Sequence, residues 1–315
     1  MLLLFLFFIS GSLAFSQKID SLKTDGEVLD FVRSIDSVHK NVFIVRPKPV
    51  SDEDFYNEQG KKNRIVAWQK ADFDNNGRID LLFNGFFDGY AGNHFCTIIS
   101  FVVLAYGTDS FQIKELNKEI FSHYFSATGL VINGRNYIKV IDYVSTRTAD
   151  TLVKKTDTLM YAFDNFIEKS EPRDYNIEKI EFCAFGGGPF FETRKLAITQ
   201  DSIIMLKLKF PKDGNFFVET FRCKMDSTTG SNIYGILKQI DFPHLKENYA
   251  VGWTDDIVGD LKITYNKGKI KKITDYGLIG TYGLAALQEI FIDMEKDQHW
   301  EKVNQVEELL FCDPD

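Results

Sequence analysis

The chain has 315 residues, 44% hydrophobic and 26% charged, with 22 Gly and 7 Pro. That excludes disordered, collagen-like and disulfide-dense classes and suggests roughly two domains. A net charge of −8, from 45 acidic and 37 basic residues without an extended Lys/Arg run, argues against nucleic acid or an anionic membrane as partner.

Met1 to Ser16 carry no charged side chain, and Leu2 to Ile9 are wholly apolar. Roughly 12 continuous apolar residues are too few for a ~30 Å hydrocarbon core but suit a secretory leader. Ala14 and Ser16 supply small residues at −3 and −1 of a cut before Gln17, so the expected mature protein is exported, periplasmic or extracellular, without a membrane span. No Cys near that cut offers a lipid attachment point.

Thr24 and Glu27 form a capping-box pattern, and Val28, Phe31, Val32 and Ile35 follow at helical spacing. Beyond Pro47 and Pro49 the pattern predicts strands at Arg64–Gln69, Asp80–Phe87 and Phe95–Tyr106, the last almost wholly apolar and therefore central. A short helix is expected near Asn117–Tyr124. Hairpins follow around Asn133-Gly134 and Asp164-Asn165. The polar, Pro-bearing stretch Ser170–Asp174 marks a domain boundary, giving an N-terminal unit over 17–170 and a C-terminal unit over 175–315.

In the second unit strands are predicted at Ile177–Cys183, Phe190–Thr199, Ile203–Phe210 and Phe216–Cys223, with Asp213-Gly214 turning the last pair. Ile233, Ile236, Leu237 and Ile240 mark a helix, and Gly259–Tyr265 and Lys269–Tyr276 a hairpin. Leu284, Leu287, Phe291 and Met294 mark another helix, and Trp300, Val303, Val306 and Leu310 a last one. The expected fold class is α+β, two domains each built from an antiparallel sheet with packed helices.

One segment carries recognisable chemistry. Asp72, Asp74, Asn76 and Asp80 stand at loop positions 1, 3, 5 and 9, with Gly77 at 6 and Arg78 at 7. Alternate side chains then point inward on a hard cation, Gly takes the sharp turn and Arg78 offers its carbonyl oxygen. Position 12 is Phe83, not the bidentate Glu of an EF-hand. The segment resembles the calcium loops of FG-GAP or VCBS-type repeats, in which such a loop links two strands. The resemblance implies one structural calcium ion on Asp72, Asp74, Asn76, Arg78 and Asp80, and covers about 20 residues; the single copy does not imply a propeller. One Asn and no bidentate Glu place the affinity at roughly 10⁻⁵ to 10⁻³ M.

Asp275 to Leu284 joins a strand to a helix with glycines at 277, 280 and 283. An anion on the helix N–H groups is one reading. Without Lys or Arg in the loop, the plainer account is that Gly277 and Gly280 supply a positive-φ turn, Thr281 caps the helix, and Gly283 lets helix and sheet approach. Together with Ile177-Glu178-Lys179-Ile180 and Trp253-Thr254-Asp255-Asp256, this segment resembles an uncharacterised domain of unknown function from secreted bacterial proteins, over about Ile177 to Trp300. Where members carry a Cys before the Pro of the first loop, this chain has Gly188. The family carries no activity over.

Of four Cys, none forms a C-x-x-C pair; Cys96 and Cys223 read as buried thiols, with a Cys183–Cys223 bridge as the one pairing singled out beside Cys312. No catalytic signature motif occurs, and the five His form no i, i+4 pair. Aromatics such as Phe86-Phe87-Asp88-Gly89-Tyr90 could line a platform for a glycan or a protein ligand, though core filling is the commoner use. The expected function is an exported, calcium-stabilised binding or structural protein; the alternative is an envelope hydrolase using Asp255, Asp256 and Asp275 with His244.

Overall fold

The computed structural model describes residues 18–44, 62–63, 65–87, 97–118, 124–146, 149–187, 193–199, 202–209 and 217–303. The apolar leader, Pro47 and Pro49, Asp88–Tyr90, Cys96, Gly188-Pro189, the Asp213-Gly214 turn and Cys312 lie outside these residues.

Three sheets account for most of the described chain. The first contains β1 (Val42–Ile44), β2 (Trp68–Ala71), β3 (Asp80–Phe87), β4 (Thr97–Ala105) and β5 (Phe111–Glu115), in the order β1-β3-β4-β5 with β2 also on β3. The second is a meander of β6 (Tyr124–Ile132), β7 (Arg135–Thr146), β8 (Ala149–Ala162) and β9 (Asn165–Glu168). The third has eight strands: β10 (Ile177–Gly186), β11 (Thr193–Thr199), β12 (Ser202–Lys209), β13 (Phe217–Lys224), β14 (Asn248–Ala250), β15 (Ile257–Tyr265), β16 (Lys269–Tyr276) and β17 (Glu301–Val303). Their order is β14-β16-β15-β10-β11-β12-β13-β17, with β14 and β16 parallel and the other pairs antiparallel.

The architecture is therefore mainly β, which corrects the expected α+β class. The reason lies in β3 and β4, which are apolar on both faces. Leu81, Phe83, Phe101 and Val103 pack against α1 (Lys18–Ser21) and α2 (Asp25–Ile35) through Ile19, Val28, Phe31 and Val32. Leu82, Val102 and Leu104 instead meet Tyr124, Ala127, Ile138 and Val140 of the second sheet. A sheet, not a helix, covers the second face. Buried Asn84 stitches the two together: its amide donates to Val66 O and Ala127 O (both 2.9 Å) and accepts from Ser100 Oγ (2.7 Å) and Ala127 N (2.9 Å). All four of its hydrogen-bonding positions are filled.

The third sheet is covered on one face by α3 (Ser227–Gln239) and α4 (Tyr282–Asp297), whose Ile233, Ile236, Leu287 and Phe291 meet Ile180, Phe182, Leu196 and Leu261. The expected helix over Trp300–Leu310 is instead strand at β17, which adds to the open edge of β13; 304–315 lie outside the described residues. Of the short helix expected near Asn117–Tyr124, Asn117 and Lys118 are not helical and Tyr124 begins β6, while 119–123 lie outside the described residues. Cys223 is a free buried thiol, so the Cys183–Cys223 pairing does not form. Cys183 lies on the opposite face, and β11 and β12 separate the two strands by roughly 14 Å. Cys183 is nevertheless disulfide-bonded.

The sheets meet at the start of α4. The Glu168 carboxylate, at the end of β9, accepts from the backbone N–H groups of Tyr282 and Gly283, the latter at 2.8 Å. The Tyr282 hydroxyl donates to Leu116 O at 2.9 Å, while Lys118 Nζ donates to Gly280 O and stands 4.1 Å from the Tyr282 ring centroid. A Cβ on Gly283 would lie 2.2 Å from Ile240 Cγ2, so this glycine admits the residue that closes α3, rather than a sheet as expected. Gly277 takes φ +88 with Leu278 at +53, and Gly280 does not have positive φ. Replacing Glu168 by Gln should cost about 1 kcal/mol and by Ala about 2 kcal/mol, from a lost charge at the helix start and then a lost acceptor; urea unfolding of both variants measures it.

Candidate functional site

The segment Asp72–Asp80 joins β2 to β3 as a tight strand-loop-strand turn. Asn75 (φ +60) and Gly77 (φ +83) take the left-handed conformation that reverses the chain. Asp72 Oδ1 accepts from Asn76 N at 3.0 Å and its Oδ2 from Gly77 N at 2.9 Å. Asp74 accepts from Asn76 N at 3.0 Å and from Asn76 Nδ2 at 2.8 Å. Asn76 thus turns its Nδ2, not its oxygen, toward Asp74, and its Oδ1 accepts from Arg78 N at 2.8 Å. The same Nδ2 donates to Ala105 O, and Asn136 Nδ2 donates to Asp72 O, so β4 and β7 both hold the turn.

Asp80 is fully buried and is the anchor of the turn. Its Oδ2 accepts from Phe73 N (2.7 Å) and Asp74 N (3.3 Å), and its Oδ1 from Ala105 N (2.9 Å). Of about four lone-pair sites on a carboxylate, three are used. Ligand oxygens of Asp72, Asp74 and Asp80 all lie within 4.8 Å of one another. Three carboxylates at that spacing repel, and two of them titrate accordingly. Burial lifts the Asp80 carboxyl to about 7 against the pull of its three N–H donors, and the charge of Asp74 adds to the rise. Burial raises Asp74 as well, with the Asp72 charge adding to it.

The residues named for a hydrolase do not converge. Asp255 is exposed at φ +63. Asp256 accepts from Trp253 Nε1 (2.8 Å) and Ile257 N (2.7 Å), and its own carbonyl accepts from Gly187 N, so the Trp-Thr-Asp-Asp motif closes a turn that locks β15 to the end of β10. Asp275 is buried beneath the glycine turn, accepting from Ile279 N (3.0 Å) and Gly280 N (2.9 Å). His244 pairs instead with Asp241, at 3.0 Å; Asp241 also takes the Tyr175 hydroxyl and sits 2.9 Å from Arg173. Of the aromatic group proposed as a platform, Phe86 packs against the core of the β-sandwich. Glu168 and Lys118, which carry the seam, have no sequence motif that marks them.

Residues 211–295 match the family model described as Domain of unknown function (DUF6438). No curated protein and no solved structure matches the chain. No helix of the described residues is long and apolar enough to cross a membrane.

Asp80→Ala strands three N–H donors around a cavity and should cost about 3 kcal/mol; Asp80→Asn, which keeps one acceptor oxygen, should cost about half of that. Chemical denaturation at pH 8, without divalent ions, separates the two.

Proposed function

We propose that the chain is an exported binding or structural protein whose β2–β3 turn is closed by one calcium ion. The observation that carries the reading is the approach of three carboxylates, one fully buried, to within 4.8 Å. All donors are oxygens, as a hard cation requires. Asp72 and Asp74 would face the ion from the turn, Asp80 would use its one remaining lone-pair site, and Arg78 would add its carbonyl. Asn76 would have to rotate its amide so that oxygen replaces nitrogen, giving up the bond to Asp74. A divalent ion removes the mutual repulsion that otherwise favours protonation of Asp80. The ion's part is structural: it fixes a turn that β4 and β7 both hold. Export rests on the uncharged apolar run at Met1–Ser16.

The test is thermal. Calcium at a hundredfold over its Kd should stabilise by about 2.7 kcal/mol, a rise in melting temperature of roughly 5 °C, in protein first stripped with chelator. Asp74→Ala should lose that response while the calcium-free melting temperature holds or rises, because the charge opposing Asp80 is gone. An unchanged melting temperature at millimolar calcium would falsify the reading.

The pH dependence has a definite sign. A carboxyl at about 7 when folded and 3.8 when unfolded binds its proton more tightly in the native state. Without calcium, its contribution is complete below pH 3.8 and is lost as pH rises through 7. Calcium displaces that proton, so the calcium-induced rise should be larger at pH 8 than at pH 5, and the difference should shrink in Asp80→Asn. Paired melting curves at the two pH values decide it.

A further inference from the structure

A cleft of about 340 Å³ lies where α4 crosses β5 and the β8–β9 turn. Its walls are largely apolar: Phe166, Leu278, Tyr282, Ala285, Ala286 and Ile292 line it. The volume falls within the range of small-molecule sites. Five charged residues also line it, and four have polar or charged side-chain partners. Lys114 reaches Asn165 Oδ1 at 3.5 Å, Glu289 accepts from Asn165 Nδ2 at 3.2 Å, Asp293 pairs with Lys296 at 2.7 Å, and Glu115 stands 3.9 Å from His39.

Lys118 is the exception. Its ammonium has a backbone carbonyl, Gly280 O, and the face of Tyr282, but no carboxylate within ion-pair distance among the described residues. Of its three N–H donors one is taken. Burial depresses its pKa, with the more distant charges of Glu168, Asp157 and Asp275 working the other way. Glu168, the strongest of these charge influences, is already engaged by the α4 backbone. A cation held in an apolar wall without a counter-ion among the described residues is costly, and an incoming anion would relieve that cost.

We propose that this cleft binds a small organic carboxylate with an apolar body, its head group on Lys118 and its body against Phe166, Tyr282 and Ala285. The site is separate from the β2–β3 turn, so it stands or falls independently of the calcium reading.

The experiment titrates full-length protein with phenylacetate by ligand-observed saturation-transfer NMR. Phenylacetamide, phenethylamine and acetate serve as neutral, cationic and body-less comparisons. Phenylacetate should bind saturably and about tenfold or more tightly than phenylacetamide, with acetate and phenethylamine weaker still. Lys118→Met keeps the apolar stem and should lose the preference for phenylacetate over phenylacetamide. Ala285→Phe, which fills the cleft and leaves Lys118 in place, should abolish binding of both, and it carries the test if the first variant does not fold. Equal binding of phenylacetate and phenylacetamide, undiminished binding in Ala285→Phe, or no binding up to about 20 mM, the weak end for a fragment of this size, would overturn the proposal.

Discussion

The assembly depends on one carboxylate at one helix start. The first turn of α4 exposes N–H groups with no partner inside the helix and concentrates partial positive charge there. Glu168 answers both, and it does so from the last residue of the β-sandwich. Around that contact the chain adds two interactions of different kinds. Tyr282 pushes its ring into the sandwich core and caps a carbonyl with its hydroxyl, and Lys118 returns across the seam to Gly280. The anion that the glycine segment is built to receive is thus supplied by the chain itself.

The β2–β3 turn poses a different electrostatic problem. Asp80 is both the deepest carboxylate of the cluster and the acceptor for three backbone donors that set the path of the turn. Those donors favour the ionised form, while burial and the neighbouring Asp74 charge oppose it. Structural anchor and candidate ligand are therefore the same side chain, which couples the fold of the turn to whatever charge sits in front of it. In the DUF6438-matched segment, by contrast, the carboxylates of Asp256 and Asp275 accept from backbone and indole N–H groups, so the motif letters there describe turns. The matched stretch is also not a continuous sheet: β10, β11 and β12, which precede it in sequence, stand between β15 and β13.

What could be read beforehand was local. The Thr24–Glu27 capping box forms as written, and Asn133-Gly134 turns its hairpin with both residues at positive φ. The neighbouring hairpin shows the limit of such rules. Its turn falls on Phe163-Asp164, one residue before the expected Asp164-Asn165, because the Phe163 ring packs against the bare backbone of Gly235 on α3, leaving Asn165 to start β9. Tertiary contact overrode turn propensity. The same limit applies to fold class: the two-faced apolar pattern of β3 and β4 announces burial on both sides without saying whether a helix or a sheet supplies the second cover. Periodicity after Trp300 suggested a helix, but the free edge of β13 offered hydrogen bonds to the chain at Glu301–Val303. Acids and bases that act across the seam, such as Glu168 and Lys118, carry no local signature because their partners lie more than a hundred residues away in sequence.

The large sheet ends on one side in a strand of three residues, Asn248–Ala250. A strand that short leaves few free N–H and C=O groups in register. An incoming β-strand would find only a brief template there. An eight-stranded sheet is wide enough to be a hazard for runaway edge pairing between molecules, and this stub limits that growth at its margin.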